Sequence, residues 1–342
     1  MLTVRSLSLL ALGLLSAVEA APQNRNKASK KKGQQQATTA FQQAQQIPQG
    51  VSTATDGSTI LDTTVMVNGL PLRFKVSAPA DQFTAASGVT GGAQAANATG
   101  TLGLNVLLHG DGGQSFFDFP NQAVQDGLAG VAVLAPDLNL FWGGGSGLDR
   151  TDGVAHSQAV ADLISGVMPQ VLAFDSNKVS FTGVSGGSLL LSGFLMPGHM
   201  AQFASAGQTS QVLLNCGGLT PQVDVTADNA AALAATRVHF QSTQQELALL
   251  QPELPKAIQA FEQIATGQGL DAAAVGALQT VDNSPNGGHC EFDEKDFVSG
   301  VQLMANSFSA VVQGGNGVLA GTNVNVLNPV PGNENLKFSG AS

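Results

Sequence analysis

Lys178–Pro197 reads KVSFTGVSGGSLLLSGFLMP. Lys178–Thr182 has the pattern of a short buried strand. Gly183-Val184-Ser185-Gly186-Gly187 is a tight turn. Ser188–Met196 is an apolar run of helical length that Pro197 should stop. Strand, G-x-S-x-G turn and helix make a nucleophile elbow, in which a serine hydroxyl stands on a sharp bend above a sheet. Glycine is required at 183 and 187 because strand and helix cross there too closely for a Cβ. The pentapeptide is a weak signal by itself in a chain with 41 Gly. Its place between a strand and a helix gives it weight.

Working outward, the next signals run in the same direction. Leu102–Leu108 is a buried strand ending in His109-Gly110-Asp111-Gly112-Gly113. Val131–Leu134 is another, followed by a glycine-rich loop, Leu138–Arg150, that carries Phe141 and Trp142. Helical spacing follows over Val154–Phe174. After the elbow come the strands Gln211–Asn215, Arg237–Gln241 and Leu278–Val281. Between and after them lie helical stretches at Ala227–Ala235, Glu246–Thr266 and Glu294–Val312. Pro120–Leu128 reads as a short helix. Upstream, Thr64–Val67 and Leu72–Val76 flank Asn68-Gly69, a hairpin signal. Strands alternating with helices predict an α/β domain over 56–313, with a mostly parallel sheet covered on both faces.

The ends of the chain read differently. Residues 1–20 have the form of a secretory leader: Arg5, the apolar run Leu9–Leu15 and the small-residue site Val18-Glu19-Ala20. The apolar run is too short to span a bilayer. A secreted, extracellular location is therefore expected. Residues 21–55 are polar, rich in Gln and Lys, and are expected to be disordered. Residues 314–342 read as an irregular tail. The net charge of −10 argues against binding a phosphate backbone, and no membrane association is expected. The sequence leaves the oligomeric state open.

Chemistry needs partners for Ser185. Serine becomes a nucleophile when a base takes its proton, and histidine is the usual base. Of five histidines, His289 is the best placed, in the loop Gly287-Gly288-His289-Cys290 after the last strand. His156 and His239 lie within elements, His199 reads as a surface residue, and His109 as a loop-bonding one. The base needs a carboxylate. Glu246, just past Arg237–Gln241, is the first candidate, with Asp282 and Asp224 as alternatives. Backbone donors for an oxyanion are expected from Gly186 and from the Gly110–Gly113 turn, where Asp111 and Gly112 are the candidates. The Asp111 side chain reads either as a cap of that turn or as an unhelpful charge. Phe141 and Trp142 read either as buried loop pins or as an aromatic wall for substrate. Cys216 and Cys290 in an oxidising compartment predict one disulfide, the alternative being two buried thiols. Asn97-Ala98-Thr99 is an N-glycosylation sequon.

With its LLHG segment (Leu107–Gly110), its GVSGGS elbow and its late GGHCEFD segment, the chain resembles α/β-hydrolases, in particular secreted fungal esterases of the feruloyl esterase and polyhydroxybutyrate depolymerase type. The likeness covers roughly residues 60–313. It implies an eight-stranded, mostly parallel sheet and a Ser-acid-His triad. It also implies hydrolysis of small or polysaccharide-linked acyl or aryl esters without metal or cofactor. Where such relatives carry a G-x-x-D turn, this chain has Gln241-Ser242-Thr243-Gln244-Gln245-Glu246. The competing reading is a non-catalytic binding or surface protein on the same scaffold.

Overall fold

The interior strands are buried at nearly every position, polar residues such as Ser180 and Thr182 included. Leu128–Leu134 and Val179–Val184 are buried from end to end, the pattern of strands covered on both faces. The computed structural model describes residues 38–118, 123–204, 210–333 and 335–339. It contains ten strands: β1 (Gly50–Thr53), β2 (Thr59–Val67), β3 (Leu70–Ala78), β4 (Gly103–Leu108), β5 (Leu128–Leu134), β6 (Val179–Val184), β7 (Ser210–Asn215), β8 (Thr236–Gln241), β9 (Gln279–Asp282) and β10 (Asn328–Pro329). They form one sheet in the order β1-β2-β3-β5-β4-β6-β7-β8-β9-β10. The pairs from β5 through β9 are parallel. β1, β3 and β10 pair antiparallel with their neighbours.

Eight strands were expected, and β2 to β9 supply them. The two additions lie at the edges. β1 is exposed along its whole length, so no burial pattern marks it in the sequence. β10 is two residues long and contains Pro329, which cannot donate to a ladder and suits an edge. The Asn68-Gly69 turn has φ of 52° and 81°, the two positive values that a two-residue hairpin requires.

Alternation along each strand sends side chains to two core layers. Val106, Val131, Val133, Val212 and Leu214 enter one, with Leu163, Leu190 and Phe261 from the helices above. Leu107, Ala132, Leu134 and Leu213 enter the other, with Phe116, Met304 and Phe308 from the opposite side. Chain order turns outward in both directions from β4. Its C-terminal end, beside that of β6, is the switch point where open α/β sheets bind ligands.

Several local expectations are corrected. The disorder expected over 21–55 does not hold for its last part. Ala40–Gln46 is a helix with a Thr39/Gln42 capping box and a buried Ala44. Arg73 Nη1 donates to the Ala44 carbonyl at 2.5 Å while its Nε and Nη2 grip Asp62. A buried cation therefore caps this helix, a contact that local composition does not reveal. The leader and the Lys cluster lie outside the described residues. Pro197 does not stop the elbow helix. Gly186–Leu190 runs through a π turn, Leu191–Leu195, into Met196–His199. Gly153–Asp162 does the same before Pro169. The widened turn relieves the clash of the proline ring with the carbonyl four residues back. The helix between β4 and β5 lies at Gln114–Asp118 rather than at Pro120–Leu128, of which residues 120–122 lie outside the described residues and Leu128 already begins β5. The helix expected from Glu246 starts only at Glu253, after Pro252, because a residue before proline is pushed out of the helical region. Among the described residues no helix is long and apolar enough to cross a membrane.

Candidate active site

β6 delivers Ser185 at φ 49°, ψ −114°, a conformation that costs a non-glycine residue about 1–3 kcal/mol and persists where its surroundings enforce it. Ser185 N–H donates to Asn215 O at 2.9 Å, and Leu189 N–H donates to Ser185 O at 3.1 Å. A Cβ on Gly183 would lie 2.6 Å from Ser188 Cα, and one on Gly187 2.0 Å from Leu108 O. Both glycines are there for close approach.

β9 leads into the loop bearing His289. Ser185 Oγ–H donates to His289 Nε2 at 2.8 Å. On the other side of the ring, His289 Nδ1–H donates to Glu246 Oε1. Glu246 is fully buried. It also accepts from Leu247 N–H (2.8 Å) and from Ser242 Oγ–H (3.1 Å), so its charge is met by three donors. The acid loop is laced to the histidine loop. Ser242 N–H donates to Asp282 O, Gln244 N–H to Pro285 O and Gln245 N–H to Gly287 O, and Thr243 Oγ–H to Gly288 O. This strand-like pairing positions Glu246 in the absence of a G-x-x-D turn. The alternatives are elsewhere. Asp282 accepts from Gln241 Nε2 and Ser284 N, and Asp224 is exposed.

Cys216, at the end of β7, is bonded to Cys290, the neighbour of His289. The only described grouping of metal-ligand type, Cys216, His289 and Cys290, is thus a disulfide and one imidazole. It offers no thiolate to an ion.

The turn after β4 faces the elbow: a Cβ on Gly110 would lie 3.4 Å from Ser185 Cβ. His109 holds this turn. Its Nδ1–H donates to Gly110 O at 2.6 Å, and its Nε2 accepts from Ala135 N–H at 2.9 Å. Gly112 is corrected as an oxyanion donor, since its N–H is already given to Leu140 O at 3.2 Å. The N–H groups of Asp111 and Gly186 have no hydrogen-bond partner among the described residues. Trp142 is corrected as a substrate wall. It is fully buried, its ring 5.4 Å from that of His109 and edge-on to His156. Phe141 is half-buried, its N–H held by Asp137. Asn97 is exposed with φ 61°.

The serine after the fifth strand of the eight-stranded core, the acid after the seventh and the histidine after the eighth follow the chain order of one scaffold. The fold is the α/β-hydrolase fold. No family profile matches the chain, and no curated protein does. Among solved structures it is similar to a thermostable esterase, at 13% identity over 66% of this chain and a TM-score of 0.42. It spans only about half of that esterase, 54%. It is similar also to fungal esterases from Rhizomucor miehei (12%, 80% of this chain and 89% of that one, TM-score 0.43). A third is the feruloyl esterase module from Clostridium thermocellum (12%, 70% and 84%, TM-score 0.45).

Two residues at the site escaped sequence reasoning. Phe297 stands with its ring 6.4 Å from that of His289, and Arg150 grips Asp111. Neither lies in a motif, and both arrive through long-range packing.

The buried histidines carry a pH prediction. Burial pushes His109 down to about 4 and lowers His156 and His239 as well. Folding keeps these rings neutral while the unfolded chain protonates them near 6.5. For His109 that stabilisation is complete above pH 6.5 and is lost as pH falls towards 4, about 3 kcal/mol, and His156 and His239 act in the same direction. The urea midpoint is expected to drop steadily across that window; a midpoint constant from pH 6.5 to 4.5 would contradict this.

Proposed function

We propose that the protein is a secreted serine hydrolase of carboxylic esters. The observation that carries the reading is the continuous relay Ser185 Oγ–His289 Nε2, His289 Nδ1–Glu246. His289 takes the Ser185 proton as Oγ adds to the ester carbonyl. The oxyanion is met by the free N–H groups of Gly186 and Asp111. Glu246 stabilises the imidazolium and fixes its tautomer. His289 then gives the proton to the leaving alkoxide, which departs as alcohol and leaves an acyl-Ser185. Water, deprotonated by the same ring, adds to that acyl group. Collapse expels Ser185, which regains its proton from His289, and the carboxylic acid leaves. No step calls on a metal or cofactor. The substrates are small or polysaccharide-linked acyl or aryl esters.

The non-catalytic alternative rests on the irregular acid site and on the acidic, Gln-rich chain; the Glu246–His289 bond weakens the first of these. The test is labelling by a fluorophosphonate and hydrolysis of p-nitrophenyl acetate, each compared with Ser185→Ala. Labelling and turnover confined to the wild type support the reading. A folded wild type that neither labels nor turns over, or a variant as fast as the wild type, rejects it.

A further inference from the structure

Arg150 ends the glycine-rich loop that follows β5, and its side chain is only 2% exposed. It meets Asp111 through two parallel bonds, Nη1 to Oδ1 at 2.9 Å and Nη2 to Oδ2 at 2.8 Å. The same nitrogens donate to Trp142 O at 2.9 Å and Gly147 O at 2.7 Å. The guanidinium is buried while the Asp111 side chain is 25% exposed, and the forked, two-bond geometry orients the carboxylate better than a single-bond surface ion pair would.

Its position relative to the elbow gives it meaning. Asp111 is the residue whose backbone N–H is free beside Ser185. Its carboxylate lies against Gly186, the residue that carries the other free donor: a Cβ there would sit 2.0 Å from Asp111 Oδ1. An unpaired negative charge there would oppose the oxyanion that the two N–H groups are placed to receive. Trp142, held at its carbonyl by Arg150, also backs the His109 ring that fixes the Gly110 carbonyl. One guanidinium thus neutralises the misplaced charge and secures the turn from outside.

We infer that Arg150 is a positioning residue for ester hydrolysis, orienting and neutralising the Asp111 carboxylate so that the Asp111 and Gly186 N–H groups can stabilise an oxyanion. The inference rests on the Ser185-dependent hydrolysis proposed above.

The test compares wild type, Ser185→Ala, Arg150→Met and the double variant Arg150→Met/Asp111→Asn on p-nitrophenyl acetate. Thermal unfolding is recorded for each. Arg150→Met is expected to lower kcat about 100-fold, the size of losing one oxyanion donor, with KM changed less than about threefold. Adding Asp111→Asn removes the stranded charge without restoring any packing, and is expected to recover about tenfold. A role confined to cross-linking the loops predicts no recovery, so a double variant no faster than the single one overturns the inference. So does an Arg150→Met enzyme within about threefold of wild type. If Arg150→Met fails to fold, Arg150→Gln replaces it in both arms, since it keeps two donors for the Trp142 and Gly147 carbonyls. Absence of Ser185-dependent turnover in the wild type defeats the hydrolase reading, and this inference with it. Ser185-dependent turnover that ignores Arg150 defeats this inference alone.

Discussion

Glu246→Gln is expected to lower kcat about 10⁴-fold, as loss of the triad carboxylate does in serine proteases, with KM nearly unchanged. That corresponds to about 5 kcal/mol of transition-state stabilisation. The size follows from how completely Glu246 is enclosed. It is fully buried and accepts from Leu247 N–H and Ser242 Oγ–H as well as from His289. A glutamine amide fits that space in two ways. With its NH₂ towards His289 it forces the ring into the tautomer that cannot accept the Ser185 proton. With its oxygen towards His289 it keeps the tautomer but offers no charge to the imidazolium. Both orientations cost the transition state and spare substrate binding. Ser185→Ala sets the floor, at about a 10⁶-fold loss. Asp282→Asn and Asp224→Asn, whose side chains serve other partners or solvent, are expected to stay within about threefold of wild type. Steady-state kinetics on p-nitrophenyl acetate decide the matter. An Asp282→Asn enzyme crippled while Glu246→Gln stays active would move the acid to the histidine loop.

The contrast among these carboxylates shows which parts of the site were legible in the sequence. The elbow was, because a close crossing of strand and helix demands small residues at fixed spacing, and Gly183 and Gly187 stand where a Cβ would strike backbone. His289 was, because a histidine in a glycine-rich loop after the last strand has few other places to go. Glu246 was visible only as one of several candidates. Its selection depends on the backbone ladder between residues 242–245 and 282–288, and backbone pairing between loops leaves no trace in side-chain identity. Trp142 stayed open between its two readings for a related reason. An aromatic beside glycines can be a buried pin or a mobile wall, and the pin is selected by packing against His109 and His156, brought there from two other segments. Gly112 misled because a glycine-rich turn shows that backbone can approach a ligand but not which N–H is left free. The Ala40–Gln46 helix was hidden in a Gln-rich stretch because its stabilising partner, Arg73, sits on a strand distant in sequence.

Breaking the Cys216–Cys290 bond is expected to cost about 4 kcal/mol of stability, the chain-entropy value for a bridge across 74 residues. In a protein of 342 residues that lowers the thermal midpoint by roughly 6 °C. The bond ties the end of β7, two pairings from the edge of the parallel ladder, to the residue beside His289. Both cysteines are fully buried and sit at positive φ, 47° and 62°. Such backbone persists only where its surroundings enforce it, and the bridge is the constraint the two share. Once it is cut, Cys290 is free to leave the left-handed region, and His289 beside it moves with it. Activity should therefore fail before the fold does. Under dithiothreitol, or in Cys216→Ser/Cys290→Ser, turnover at 25 °C is expected to fall at least tenfold, the change a misplacement of about 1 Å in a catalytic group can produce, while the far-ultraviolet circular dichroism stays native. The laced loop 242–246 argues for a partial rather than a total loss, because its bonds to Pro285, Gly287 and Gly288 still hold one side of the turn. Full activity in the reduced protein, with an unchanged thermal midpoint, would show that this lacing alone positions the imidazole.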